Sequence, residues 1–293
     1  MTALKLDLLA PAKINLSLRI GTKRPDGYHQ LHSLFQLLDL HDRITLTYRA
    51  DGALKLHTQG AFQTPNDERN LALQAAQLLQ PLCSHKPPGA DITLDKCIPT
   101  AAGLGGGSSD AACILHGLNR LWALDLPTGK LAQLGLSLGA DIPFFVAGNN
   151  ALATGKGEQL QPVCLPDSYY LIALPQIELA TAEMYRLLSE HTRTQPLPEL
   201  THADYFDLIQ NGQNDFLDIA LQFPEVNGLY EKMQPLGPVQ LSGTGSALFV
   251  RFDSQQQAQV AQRQLKAQGL PNWMQQTNGV ASHRALFTIQ QQL

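Results

Sequence analysis

A short glycine-rich stretch constrains the fold of this chain more than any other feature. Residues 99–112 contain four glycines within five positions, namely Gly103, Gly105, Gly106 and Gly107. Apolar and polar residues alternate in the preceding segment 90–96, which predicts a strand, and a helix-forming run follows the glycines. Glycines allow positive φ angles and close backbone approach, and a helix start presents unsatisfied N–H groups at the positive end of its dipole. The order strand, glycine loop and helix therefore predicts a phosphate site, the alternative being a simple connecting turn.

The loop matches neither of the two commonest nucleotide-binding loops. It does not end in Gly-Lys-Ser/Thr, and no acidic residue ends a second strand about twenty residues further on. Ser108, Ser109 and Asp110 follow the glycines and are predicted to cap the helix, with the serines also able to bond a phosphate oxygen. The loop thus predicts phosphate binding without defining the chemistry.

The composition excludes several classes of partner. The chain has 293 residues, of which 44% are apolar and 16% are charged, with a net charge of −4. These values predict a substantial core and argue against a nucleic-acid or anionic-membrane surface, which requires clustered basic charge. Neither a signal peptide nor a membrane-length apolar run is visible, so a soluble, cytoplasmic protein is expected, as a monomer or a homodimer.

Two charged residues have alternative interpretations in their own segments. The strand pattern of residues 13–20 places Lys13 and Asn15 opposite an apolar face, so that Lys13 is either a solvated lysine or a cation directed into a site. Asp141 follows a predicted helix and precedes Ile142-Pro143, so that it is either a helix N-cap or a functional carboxylate.

Two further segments have a structural and a functional interpretation. The Pro25-Asp26-Gly27 turn presents Tyr28 and His29, which either bind a flat polar ring or close the turn onto the core. Asn70 is the first residue of a helix predicted over 70–82, and there a capping role is favoured over ligand binding.

The remaining pattern predicts an α+β protein. Strands are predicted near 4–8, 13–20, 34–40, 43–48, 54–57, 90–96, 151–157, 169–174, 239–241, 247–252 and 284–289, and helices near 70–82, 111–122, 131–138, 181–189, 214–221 and 255–268. The composition changes near residue 162, which predicts a second, smaller α+β domain after it.

Three segments together resemble the motifs of the GHMP kinases, the small-molecule kinases that include galactokinase, homoserine kinase, mevalonate kinase and phosphomevalonate kinase. They are Pro11–Leu16, Gly103–Ala112 and Leu241–Gly245, and they occur in the family's order across nearly the whole chain. The resemblance implies an ATP-binding domain over residues 1–161 with a curved mixed sheet and helices. It also implies a ferredoxin-like α+β domain over residues 162–293 and an active site in the cleft between the two.

The resemblance also implies ATP-dependent phosphorylation of an alcohol. The Asp26–His29 turn and the Gly139–Phe144 segment are similar to those of the branch that acts on a cytidine-diphosphate-linked polyol. Mg²⁺ is expected to bridge the β- and γ-phosphates through Ser108 or water, and the protein ligands of the metal remain undefined. Thr100-Ala101-Ala102 stands where Met-Gly-Ala is more usual in the family, so contacts at the loop entrance are expected to differ.

Site residues follow from the same resemblance. The catalytic pair is Lys13 and Asp141. The ATP side comprises Asn70, Lys96, Pro99, Thr100, Ala101, Ala102, Gly103, Leu104, Gly105, Gly106, Gly107, Ser108 and Ser109. The substrate side comprises Asn15, Tyr28, His29, Thr181, Tyr185, Gly243 and Thr244. Tyr28 is expected to stack on cytosine, His29 to bond its polar edge, and the two residues of the 181–189 helix to close over the cytidine.

Overall fold

A computed structural model describes residues 4–25, 27–83, 88–191, 195–198, 208–209, 211–269 and 273–282. The strands are β1 Lys5–Lys23, β2 His29–Arg49, β3 Leu54–Gly60, β4 Gly89–Lys96, β5 Ala151–Thr154, β6 Gln159–Pro162, β7 Tyr169–Ala173, β8 Val239–Leu241, β9 Leu248–Phe252 and β10 Met274–Val280. The helices are α1 Leu71–Leu79, α2 Gly106–Leu121, α3 Thr128–Leu136, α4 Ile142–Ala147, α5 Thr181–His191, α6 Leu217–Ala220, α7 Pro224–Met233 and α8 Gln255–Ala267. Within these described segments, no helix combines the length and the apolar character that a membrane span needs.

The long strand β2 connects the two halves of the sheet. It pairs antiparallel with β1 along most of its length, and with β4, β5 and β10 through separate segments. The sheet then continues from β10 through β7 and β9 to β8, while β3 extends the other end by pairing parallel with β4. This arrangement confirms the predicted α+β fold and brings the middle of β1 close to the glycine loops of both halves.

The sequence pattern divided β1 and β2 into shorter strands than the structure contains. The prediction that residues 10–12 interrupt the first strand was wrong, because β1 continues with a shift in register between Pro11 and Lys13. A proline lacks a backbone N–H and is accommodated at such an irregularity. The strands predicted at 34–40 and 43–48 are likewise parts of the single strand β2.

Three buried clusters form the core. One lies mainly within residues 6–153, a second joins Leu18 and Ile20 of β1 to side chains between 171 and 274, and a third contains residues of both halves. We propose the boundary near residue 161 on this basis, with β1 contributing to every cluster. Burial of these apolar side chains is the main stabilising contribution to the fold.

Most predicted helices are present, but the second half differs in detail. The helix predicted over 214–221 is limited to α6, and α7 and β10 were not predicted. The sequence of β10 is mostly polar, and of its residues only Met274 and Thr277 are buried, so no apolar alternation marks the strand. The strand predicted at 284–289 and the loop residues 84–87 lie outside the described residues, as does Asp26.

Candidate active site

The glycine loop joins β4 to α2 as predicted, but its capping differs. Gly105 occupies the N-cap position with φ of 72°, and no side chain caps the helix. The prediction that Ser108, Ser109 or Asp110 caps it was wrong, because all three lie inside α2. The first N–H groups of α2 therefore have no side-chain cap, as an anion site at a helix N-terminus requires.

The loop is held against the third motif by close backbone contact. The Ser242 hydroxyl donates to the Gly103 carbonyl oxygen at 2.9 Å, and the Ala247 N–H donates to the Ala102 carbonyl oxygen at 3.1 Å. Gly103 has φ of 75°, and a Cβ atom there would lie 2.0 Å from the Ser242 carbonyl oxygen. Glycine is required at this position for both conformational and steric reasons. Ala101 has φ of 52°, a left-handed conformation that residues with a side chain rarely adopt.

Lys13 is buried, which excludes the solvated alternative. Its side chain is 4% exposed, and its backbone N–H donates to the Leu104 carbonyl oxygen at 3.0 Å, so that the first motif is joined to the glycine loop. Its Nζ donates to Asn15 Oδ1 at 2.6 Å and lies 5.4 Å from the centre of the Phe35 ring. Burial lowers the pKa of Lys13, and the nearby Asp141 carboxylate opposes this shift.

Asp141 pairs with Lys13 and does not cap α4. Its Oδ2 lies 3.6 Å from Lys13 Nζ, and its side chain remains 37% exposed. Although Asp141 occupies the residue before α4, its side chain makes no capping hydrogen bond. The carboxylate is therefore available to a ligand in the cleft while its charge is partly balanced by a buried ammonium.

Both residues face a cleft of about 1070 Å³. Twelve of the predicted site residues line it: Lys13, Asn15, Tyr28, His29, Gly103, Gly105, Ser108, Asp141, Thr181, Tyr185, Gly243 and Thr244. The other predicted ATP residues belong to the described part of the chain but lie outside this lining: Asn70, Lys96, Pro99, Thr100, Ala101, Ala102, Leu104, Gly106, Gly107 and Ser109. The structure thus brings the predicted catalytic pair, the predicted substrate side and the edge of the glycine loop together.

Tyr28 and His29 form one wall of the cleft. Tyr28 is 56% exposed, so the alternative in which it closes the turn onto the core was wrong. The His29 ring stacks on the Tyr185 ring of α5, with 5.5 Å between centres. Burial and the Lys23 charge lower the pKa of His29, which favours the neutral imidazole near pH 7. Burial and the Asp141 charge raise the pKa of Tyr185 to about 12, so its hydroxyl remains protonated.

Sequence reasoning missed several residues that line the same cleft. Lys156 lies over the Tyr28 ring, with its Nζ 4.6 Å from the ring centre, and Phe35 and Arg186 also contribute. Lys156 stands between two glycines, Gly155 and Gly157, and that turn signal was the one local hint of its position. Phe35 carried no signal, since an apolar residue within a strand is normally assigned to the core.

Asn70 and Lys96 both have structural partners. Asn70 caps α1, since its Oδ1 accepts from the Ala72 N–H at 2.9 Å, which confirms the capping interpretation. Lys96 Nζ is buried between Asp42 and Asp110, with 2.7 Å to Asp110 Oδ2. A Cβ atom on Gly106 would lie 3.2 Å from this ammonium, so the ion cluster lies directly beneath the start of α2.

Comparison with known proteins agrees with this geometry. A family model described as GHMP kinases N terminal domain matches residues 70–149, and one described as GHMP kinases C terminal matches residues 199–270. Homoserine kinase from Cytophaga hutchinsonii has the same fold, with a TM-score of 0.64 at 16% identity over 95% of both chains. These matches define the protein as an ATP-dependent kinase of the GHMP class.

Closer relatives narrow this class. The chain is 40% identical over 292 residues to a curated 4-diphosphocytidyl-2-C-methyl-D-erythritol kinase from Paraburkholderia phytofirmans, covering 97% of this chain and 96% of the relative. It is 42% identical over 266 residues to the Pseudomonas fluorescens protein of that name, covering 88% and 89%. A crystal structure of 4-(cytidine 5'-diphospho)-2C-methyl-D-erythritol kinase matches with a TM-score of 0.78 at 35% identity, covering 94% of this chain and 100% of that chain. The chain belongs to the family of these kinases.

Proposed function

We propose that this kinase transfers the γ-phosphoryl group of ATP to the 2-hydroxyl of 4-diphosphocytidyl-2-C-methyl-D-erythritol, a step in the non-mevalonate route to isoprenoid precursors. The observation that carries the proposal is the Lys13–Asp141 pair, which lies in one cleft between the glycine loop and the Tyr28–His29 wall. In this arrangement the phosphate donor and the cytosine-bearing acceptor meet at the Lys13 ammonium and the Asp141 carboxylate.

The donor side depends on backbone N–H groups. The first N–H groups of α2 and the positive end of its dipole hold the phosphates. Gly105 has no side chain, so the phosphates can approach these N–H groups closely. A Cβ atom on Gly105 would lie 2.7 Å from Phe145 and 3.0 Å from Lys13 Cγ, so the loop has no room for one. Asn70, Lys96 and residues 99–109 form the ATP side in this proposal.

Asp141 and Lys13 perform the transfer step. The Asp141 carboxylate orients the acceptor hydroxyl and accepts its proton, while the Lys13 ammonium stabilises the charge on the transferring group. Phosphoryl transfer through a loose transition state depends mainly on positioning and charge, which these two side chains supply.

Mg²⁺ accompanies ATP in this proposal. Among the described residues, no three His, Cys, Asp or Glu side chains come together as a metal-binding group. Ser108 presents a hydroxyl to the cleft, which suits a cation that usually binds through phosphates, waters and one or two protein oxygens. When bound, the ion would neutralise negative charge on the phosphates of ATP. The reaction in this proposal takes place in the cytoplasm, where ATP is available.

The acceptor assignment is tested by a coupled assay of ADP release. We expect ADP release with the cytidylated erythritol and background rates with homoserine or mevalonate, with ³¹P NMR showing a new phosphate monoester on the polyol. ADP release with homoserine or mevalonate in place of the cytidylated alcohol would overturn the assignment. Transfer of label from γ-labelled ATP excludes simple ATP hydrolysis.

Tyr28→Ala tests the base-binding wall. We expect the KM for the cytidylated acceptor to rise by about 10-fold, because stacking on a base contributes roughly 1–3 kcal/mol, while the KM for ATP stays nearly unchanged. Steady-state kinetics with each substrate varied in turn measure both values. Tyr48→Ala is the matched control, since Tyr48 is an exposed tyrosine outside the cleft. An equal rise in both KM values for Tyr28→Ala would assign Tyr28 a structural role.

A further inference from the structure

A segment that does not line the catalytic cleft is connected to Lys13 by a short series of hydrogen bonds. The last member of the series is Asn15, whose Oδ1 accepts from Lys13 Nζ at 2.6 Å and from the Gly243 N–H at 2.9 Å. Asn15 Nδ2 donates to Ser33 Oγ at 2.7 Å, so all three hydrogen bonds are consistent with one orientation of the Asn15 amide. The Gly243 N–H therefore helps to hold the oxygen that accepts from the Lys13 ammonium.

The position of Gly243 depends in turn on Asn214. Asn214 Nδ2 donates to the Leu241 carbonyl oxygen at 2.7 Å and to the Gly243 carbonyl oxygen at 2.8 Å, so one amide group holds both sides of the turn. Gly243 itself has φ of 58° and lies against Gly103, in a conformation that favours glycine. An amide that donates to both carbonyls holds this turn in the conformation that directs the Gly243 N–H at Asn15.

Asn214 is itself fixed from both sides. Its Oδ1 accepts from the Phe216 N–H at 2.9 Å, which determines the orientation of the amide. The neighbouring backbone pairs with β1, since the Leu18 N–H donates to the Gln213 carbonyl oxygen at 2.8 Å and the Asp215 N–H donates to the Leu18 carbonyl oxygen at 2.9 Å. Asn214 is thereby fixed to the same strand that carries Lys13 and Asn15.

We propose that Asn214 is a positioning residue for the Lys13 ammonium, acting through the Gly243 turn and Asn15 without contacting either substrate. Asn214 does not line the cleft, and its side chain is connected to Lys13 through the Gly243 turn and Asn15. The proposal rests on the proposed function, because it assigns Lys13 the role given above.

The state of Lys13 provides a specific readout. Asp141 is the charged group in contact with Lys13. The other titratable or charged groups that line the same cleft are Tyr28, His29, Tyr185, Lys23, Lys156, Arg186 and Glu190. None of these is changed when Asn214 is replaced. Loss of the Asn15 oxygen from Lys13 Nζ removes an interaction with the charged form, and the pKa of Lys13 falls further as a result.

Asn214→Asp and Asn214→Ser test the proposal. Both keep an oxygen that can accept from the Phe216 N–H, and both lose the amide that donates to two carbonyls. We expect kcat to fall by about 10- to 100-fold with less than about a 3-fold change in the KM for ATP, because small misplacements of a catalytic group mainly affect the transition state. The alkaline limb of the kcat–pH profile should move to lower pH, since the ammonium form is lost earlier.

Asn119→Asp is the matched control. Asn119 also clamps backbone with its amide, because Nδ2 donates to the Leu126 carbonyl oxygen and Oδ1 accepts from the Leu126 N–H, each at 3.0 Å. It lies near the far end of α2, outside the cleft. We expect this variant to lose stability in a thermal melt while keeping the kcat and the pH profile of the wild type.

Lysine ¹³C NMR titration of the protein without substrates provides a readout independent of turnover. With the Lys13 signal assigned through Lys13→Arg, we expect its titration to move to lower pH in both Asn214 variants and to stay unchanged in Asn119→Asp. Wild-type kcat and an unmoved Lys13 titration in Asn214→Ser would overturn the proposal, and so would an equal shift in the control. If the wild type fails to phosphorylate the cytidylated alcohol while the Lys13 titration still moves, the proposed function fails and the positioning role stands.

Discussion

Replacing Asp141 by asparagine is expected to lower kcat by at least about 100-fold, and by as much as about 10⁴-fold, while both KM values stay close to those of the wild type. The side chain keeps its size, but it can no longer accept the proton of the acceptor hydroxyl. It also leaves the Lys13 ammonium without the carboxylate that lies 3.6 Å away. Steady-state kinetics with the cytidylated acceptor and ATP measure the effect.

Asp167→Asn is the control for this change. Asp167 is exposed and lies outside the cleft, so the same substitution there removes a carboxylate without touching the reaction. We expect wild-type kinetics from it. Near-wild-type turnover in Asp141→Asn would exclude Asp141 as the base, because the proton would then leave by another route.

Replacing Lys96 by methionine is expected to lower the free energy of unfolding by about 3–5 kcal/mol near neutral pH. Lys96 Nζ is the cation between the Asp42 and Asp110 carboxylates, and all three side chains are almost fully buried. Burial lowers the pKa of Lys96, but the Asp110 and Asp42 charges outweigh it, so its pKa lies above the usual value. Burial raises the pKa of Asp110 against the opposing effect of Lys96, and Asp42 adds to the rise. Methionine leaves two buried carboxyls without their cation.

The loss of stability in Lys96→Met should depend on pH. Without Lys96, the folded-state pKa of Asp110 rises further above its unfolded value, which is about 4. A raised carboxyl pKa destabilises the fold above the unfolded pKa, and the penalty disappears as pH falls and both states become protonated. The penalty stops growing once pH exceeds the folded-state pKa, which is about 8 for Asp110 in the wild type and higher in the variant. Urea unfolding should therefore show a larger difference from wild type at pH 9.5 than at pH 6.

Lys130→Met is the control, because Lys130 is exposed on α3 and its side chain, within the described part of the chain, bonds Gln133 alone. We expect it to change the free energy of unfolding by less than about 0.5 kcal/mol. A pH-independent loss in Lys96→Met would contradict the electrostatic account.

Because the cluster supports the start of α2, the KM for ATP should also rise in Lys96→Met, and an unchanged KM would separate Lys96 from the ATP site.

The comparisons confirm the predicted GHMP kinase family and fold, and the structure confirms most of the predicted elements. The glycine loop could be predicted because its signal is local. A strand pattern, dense glycines and a helix pattern follow one another within a single segment. The register of β1 and the extent of β2 could not be predicted from the sequence. Pro11 signals a break in the strand, but pairing with β2 continues past it. The strand β10 was missed because its residues are mostly polar and its position depends on pairing with β7.

Alternation along β1 determined that Lys13 and Asn15 share a face, because side chains two apart in a strand point to the same side. Only the tertiary structure decided what covers that face. Lys13 is buried because the glycine loop, Phe35 and the Gly243 turn pack around it, and these come from distant parts of the chain. Periodicity specifies the side on which a residue lies, whereas its charge partner and pKa depend on which other segments reach that side, and long-range packing alone determines this.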